Sequence, residues 1–112
     1  MQVKCDEYNG VCVLAVDGDF AGEATSHFKQ LAEARFKDRR LVDFVVDLEK
    51  VPFLNSQGLE ALLWLKRRCD ELFGHLKLTG MDANCQKIFE VNRLAHRFEC
   101  YADVPSALKL MR

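Results

Sequence analysis

Leu41-Val42-Asp43-Phe44-Val45-Val46-Asp47-Leu48, followed after two charged residues by Val51-Pro52-Phe53-Leu54-Asn55-Ser56-Gln57-Gly58-Leu59, is the stretch from which the fold is read. Its first eight residues are almost continuously apolar over a strand-sized length, the pattern of a central strand covered on both faces by helices. Pro52 stops that extension, and helical periodicity then holds from Gln57 to about Phe73. Ser56 sits where an N-cap is expected, its hydroxyl accepting a backbone N–H of the first turn. At about 100° per residue, Ala61, Leu62, Leu65, Cys69, Leu72 and Phe73 share the core face. Trp64 falls outside it among Glu60, Arg67, Arg68 and Glu71, while Leu59 and Leu63 flank it on the side toward which Ser56 projects. Gly74 stands where a helix C-cap belongs.

Toward the amino terminus, residues 2–8 read weakly as a strand, and Val11-Cys12-Val13-Leu14-Ala15-Val16 has strong strand composition. Asn9-Gly10 between them is a hairpin signal, which makes the two strands antiparallel neighbours. Asp17-Gly18-Asp19 then turns the chain into a helix over roughly 21–37, with Ala24, Phe28, Leu31, Ala32 and Arg35 on one side. Toward the carboxyl terminus, His75-Leu76-Lys77-Leu78-Thr79 alternates as a short strand, and Asp82 caps a third helix carrying Cys85, Ile88 and Phe89 inward. Asn92 is expected to stop that helix in a left-handed conformation. Phe98-Glu99-Cys100-Tyr101 makes a last strand, and Asp103 with Pro105 opens a final helix whose Val104, Ala107, Leu108 and Met111 face the core. The expectation is one α/β domain over residues 1–112, with a mixed, mainly parallel sheet of about five strands, its first strand antiparallel near an edge, and about four helices.

Composition narrows the functional classes. Sixteen basic against seventeen acidic residues, with a formal net charge of -1, give no nucleic-acid footprint. Five scattered cysteines form no C-x-x-C pair, so free, mostly buried thiols in a reducing compartment are expected, with no metal site and no cofactor. The chain opens without an apolar signal region and holds no run of a membrane span's length, so a cytoplasmic protein without direct membrane insertion is expected.

The same stretch carries no catalytic constellation. No G-x-S-x-G surrounds Ser56, and His27, His75 and His96 carry no signature tying them to it. No phosphate-binding glycine loop occurs. Asp17, Asp19 and Asp47 lie near strand ends as the acids of a response-regulator receiver do, but the lysine such a domain needs after its last strand is missing, Tyr101 leading into Ala102-Asp103-Val104. These acids read as turn-formers, and the protein is expected not to be an enzyme. A serine at a helix start has a second use, because free N–H groups and the positive end of the helix dipole accommodate a phosphate. Phosphorylation there adds about -1.5 to -2 charges and changes what docks without dismantling the core. Leu63 and Trp64 beside it are candidates for a docking patch.

Across essentially the whole chain, these elements resemble the STAS domain of bacterial anti-sigma factor antagonists. The resemblance is carried by the apolar strand 41–48, by Val51 to Leu59, by Leu76-Lys77-Leu78-Thr79-Gly80, and by Phe89-Glu90-Val91-Asn92-Arg93-Leu94 through Ala107-Leu108. It implies a STAS-like fold and a non-enzymatic partner-switching protein. In that family the unphosphorylated antagonist binds an anti-sigma factor that is also a GHKL-type serine kinase, phosphorylation of the motif serine breaks the complex, and a PP2C-type phosphatase resets it. Ser56 matches the acceptor in the family's D-S-x-G-L motif, and Gly58 matches its glycine. The implied partner-binding residues are Asn55, Ser56, Gln57, Gly58, Leu59, Glu60, Leu63 and Trp64. Asn55 stands where the family usually has aspartate, and Glu60 where small residues are frequent. The alternative is a constitutive STAS binding subunit, in a scaffold or beside a transporter ATPase, with no phosphorylation cycle.

Overall fold

The computed structural model describes residues 2–109 and 111; Met1, Leu110 and Arg112, which the single-domain expectation spans, lie outside them. Five strands, β1 (Gln2–Tyr8), β2 (Val11–Asp17), β3 (Asp43–Lys50), β4 (Leu76–Thr79) and β5 (Glu99–Tyr101), form one sheet in the order β1-β2-β3-β4-β5. β1 and β2 pair antiparallel and the remaining pairs are parallel. The Asn9-Gly10 turn has positive φ at both residues, 51° and 82°, as a two-residue hairpin requires. Helices α1 (Glu23–Asp38), α2 (Ser56–Glu71), α3 (Ala83–Val91) and α4 (Val104–Lys109) complete the fold.

The sheet has one heavily covered face and one lightly covered face. Cys12, Leu14 and Val16 of β2, Phe44, Val46 and Leu48 of β3, and Leu76 and Leu78 of β4 pack against α1, α2 and α3 through Phe28, Ala32, Leu62, Leu65, Cys85 and Phe89. On the opposite face Val11, Val13 and Val45 meet Ala107 and Met111. β3 is therefore central and covered on both faces, which is why its sequence barely alternates. β4 is buried along its whole length rather than alternating; Lys77 keeps its ammonium 4.9 Å from the Tyr101 ring centroid.

Element boundaries differ from the sequence expectation where packing overrides pattern. The central strand runs over Asp43–Lys50 because Leu41 joins the core from the preceding loop, its N–H bonded to the Arg35 carbonyl. Phe98 precedes the last strand and packs edge-on to Phe89, with ring centroids 5.5 Å apart. Helix α2 ends at Glu71, so Leu72 and Phe73 leave the core face, and Phe73 is 94% exposed. Phe73 takes the left-handed position at φ 60°, and the N–H groups of Phe73 and Gly74 bond back to the carbonyls of Asp70 and Cys69. α3 ends in the same way one residue later than expected, with Arg93 rather than Asn92 at positive φ and Leu94 N–H bonded to the Phe89 carbonyl. Both helices close on a pair of backbone bonds that satisfies two of the carbonyls of the last turn.

All five cysteines are free thiols, and among the described residues no cluster of potential ligands could hold a metal. No helix is long and apolar enough to cross a membrane among the described residues. Burial first, then the Asp43 and Asp70 carboxylates, push the Cys69 thiol up to about 12. Burial first, then Asp82, pushes Cys85 up to about 11. Both thiols ionise more readily once unfolded, at their ordinary value of 9.0. Their contribution is thus fully present below about pH 9 and is lost as pH rises toward the folded values. The melting temperature is expected to fall progressively above pH 9 in thermal scans, and a flat profile to pH 11 would contradict this.

Candidate functional site

The carboxyl ends of β2 and β3 set the position of Ser56. After β2 the chain turns through Gly18, whose N–H bonds to the Lys50 carbonyl, and Phe20 then pairs with Leu54 in a short parallel bridge, its N–H 2.9 Å from the Phe53 carbonyl. This bridge carries two loops side by side, one leading into α1 and one into α2. Gly58 makes their closeness possible: a Cβ there would lie 2.3 Å from the Phe20 carbonyl oxygen. Gln57 adds a second tie, its Oε1 accepting the Gly22 N–H at 3.0 Å.

Asn55, not Ser56, is the N-cap of α2. Its backbone is extended at φ -104°, ψ -169°, and its Oδ1 accepts the N–H groups of Gln57 at 3.0 Å and Gly58 at 3.1 Å. Asparagine and serine are about equally good caps, and the cap falls one residue before the serine. Ser56 is consequently the first helical residue, exposed, with neither its hydroxyl nor its N–H partnered among the described residues. The first turn of α2 contains no acid to offset the positive end of the helix at that hydroxyl.

The expected partner-binding residues divide into surface and support. Ser56, Gln57 and Glu60 are exposed, and Asn55 and Leu63 are half-buried. Gly58 and Leu59 are buried and support the site from beneath. Trp64 is half-buried against the core rather than exposed, with the Lys29 ammonium 5.9 Å from its ring centroid. The same ammonium lies 2.6 Å from Glu60 Oε1. The hydrogen bond from Lys29 holds the Glu60 carboxyl below the usual carboxylate range. Sequence reasoning missed Lys29 of α1, Gly22 just before α1, and Phe53, which is 48% exposed at the mouth of the bridge. Only an exposed aromatic three residues ahead of the serine hinted at the last of these.

A family model for the STAS domain matches residues 2–107. The chain belongs to the STAS domain family. Among solved structures, this STAS domain is similar to an anti-sigma factor antagonist from Mycobacterium paratuberculosis, at 22% identity and a TM-score of 0.85 over 99% of this chain and 93% of that one. It is also similar to TM1081 of Thermotoga maritima, at 14% identity and TM-score 0.88 over 96% and 92% of the two chains. A third is the Bacillus cell fate determinant SpoIIAA in its phosphorylated form, at 15% identity and TM-score 0.80 over 99% and 100%. These likenesses are of fold. No curated protein matches the chain in sequence.

In this STAS domain the motif stretch divides its tasks: Asn55 caps, Ser56 is presented, Gln57 and Gly58 join the loop of α1, and Leu59 anchors below. Asn55→Ala is expected to lower stability by about 1 kcal/mol through the lost cap, whereas Asn55→Asp keeps the cap and gains from the helix dipole. Urea denaturation of the two variants checks the split; equal losses in both would contradict it.

Proposed function

We propose that this protein is an anti-sigma factor antagonist that works by partner switching and catalyses no reaction itself. With Ser56 unmodified it binds an anti-sigma factor that is also a GHKL-type serine kinase; phosphoryl transfer to Ser56 releases it, and a PP2C-type phosphatase restores binding. One observation carries this reading: an exposed, unpartnered serine hydroxyl at an acid-free helix start whose cap is supplied by the neighbouring residue. Because Asn55 does the capping, Ser56 is free to be modified without costing the helix its N-cap. A phosphate there meets the positive helix end, and a rim of Phe53, Gln57, Glu60 and Leu63 surrounds it as the surface a partner would cover.

The test is intact-mass analysis after incubation with ATP and a GHKL-type kinase. One added phosphoryl group is expected, and none in Ser56→Ala; no addition, or addition retained in that variant, overturns the proposal. Asn55 favours a second reading, since a neutral side chain stands where the family usually places an acid beside the acceptor. On that reading the domain is a constitutive binding subunit. It predicts partner binding indifferent to a charge at Ser56 and dependent instead on the Lys29, Glu60 and Trp64 cluster.

A further inference from the structure

Cys5 and Cys12 stand apart from the other thiols of the chain. Cys69 and Cys85 are buried singly in the core, and Cys100 is exposed on β5. Cys5 lies on the edge strand β1, opposite Leu14, and Cys12 lies on β2, opposite Glu7, so the two are diagonal neighbours on the sheet face that α1 covers. Their sulfurs are 2.9 Å apart. Arg35 of α1 directs its Nε–H at Cys5 Sγ from 3.0 Å. Cys5 is partly exposed, while Cys12 is fully buried.

We propose that Cys5 and Cys12 are a peroxide-responsive dithiol, in which Cys5 is oxidised first and Cys12 resolves it to a reversible disulfide joining β1 to β2. In the first step the Cys5 thiolate attacks one oxygen of hydrogen peroxide and the O–O bond breaks, giving Cys5 sulfenic acid and, after protonation, water. In the second, the Cys12 sulfur attacks the sulfenic sulfur. The S–OH bond breaks, the S–S bond forms, and the proton from Cys12 leaves with the hydroxyl as a second water. The two thiols lose two electrons in all and the peroxide is reduced to two waters. A thiol reductant reverses the reaction by exchange.

The geometry separates the roles. Cys5 is reachable from solvent and has a cation beside its sulfur, the surroundings of a reactive cysteine. Its hydrogen bond to Arg35 raises the arginine's own proton affinity further, keeping the guanidinium charged. Cys12 is held in its protonated form by burial first and by Cys5 next, so it waits as a thiol until the neighbouring sulfur becomes electrophilic. Prompt resolution protects Cys5 from irreversible oxidation to the sulfinic acid. The pair is independent of the reading of Ser56.

The reduced full-length protein is treated with hydrogen peroxide, denatured in an alkylating reagent and cleaved after Glu7, which separates Cys5 from Cys12. Under non-reducing conditions the two peptides are expected to remain joined, two hydrogens lighter than their sum, and to part with dithiothreitol. Cys12→Ala is expected to stop at a sulfenic acid on Cys5 that dimedone traps, and Arg35→Met to oxidise at least several-fold more slowly. The inference is overturned if Cys5 and Cys12 are both recovered alkylated when exposed Cys100 has reacted, or if either is joined to Cys100 instead. Wild-type oxidation rates in Arg35→Met would equally overturn the assigned role of the guanidinium.

Discussion

Gly74→Ala is expected to leave the chain at or beyond the edge of unfolding. A Cβ at this position would lie 1.8 Å from the Val42 carbonyl oxygen and 2.6 Å from its carbonyl carbon, both backbone atoms that no rotamer change can move aside. Relief requires separating the end of α2 from the segment entering β3, at the middle of the sheet. A loss of more than about 4 kcal/mol is expected, against the roughly 5–15 kcal/mol that holds a domain of this kind together. Gly58→Ala, with its added atom 2.3 Å from the Phe20 carbonyl oxygen, strains only the junction of two loops. Alanine also recovers up to about 1 kcal/mol of helix propensity there, so a net loss of roughly 1–3 kcal/mol is expected. Urea denaturation ranks the two variants. If Gly74→Ala were as stable as the parent, the close approach of α2 to Val42 would be wrong.

The second large effect is on binding. Ser56→Glu places a negative charge at the first position of α2, where it should stabilise the helix by about 0.3–1 kcal/mol. It should at the same time weaken a partner that binds the unmodified surface by at least tenfold, about 1.4 kcal/mol or more. Stability and affinity therefore move in opposite directions, an outcome that general damage to the fold cannot produce. Denaturation and calorimetric titration on one preparation would read both. Unchanged affinity in this variant, with loss in Trp64→Ala, would favour the constitutive reading.

What could be read from residues alone was the part governed by local rules. Asn9-Gly10 fixed the hairpin, the unbroken apolarity of Phe44, Val45 and Val46 marked the central strand, and Asp82 capped α3 as its chemistry predicts, its Oδ1 2.8 Å from the Cys85 N–H. The errors fall where two residues satisfy one rule equally well. Asn55 and Ser56 are both good caps, and the chain uses Asn55, whose Oδ1 accepts the Gln57 and Gly58 N–H groups. Phe73 continues the helical spacing from Cys69, yet the chain has already turned left-handed to let Gly74 pass Val42. The exposure of Trp64 was not legible for a related reason: a helix wheel describes one helix, whereas Lys29, which lies over the Trp64 ring and pairs with Glu60, is 31 residues from that glutamate on another. Contacts across that separation have no local signature.

The most direct test of the switch is the affinity of a kinase-type anti-sigma factor for this chain before and after phosphoryl transfer to Ser56, measured by titration with the site's occupancy verified by mass. Tight binding of the unmodified chain, at least tenfold weaker binding of the phosphorylated chain and recovery after treatment with a PP2C-type phosphatase is the predicted result. Equal affinity for the two forms would contradict it.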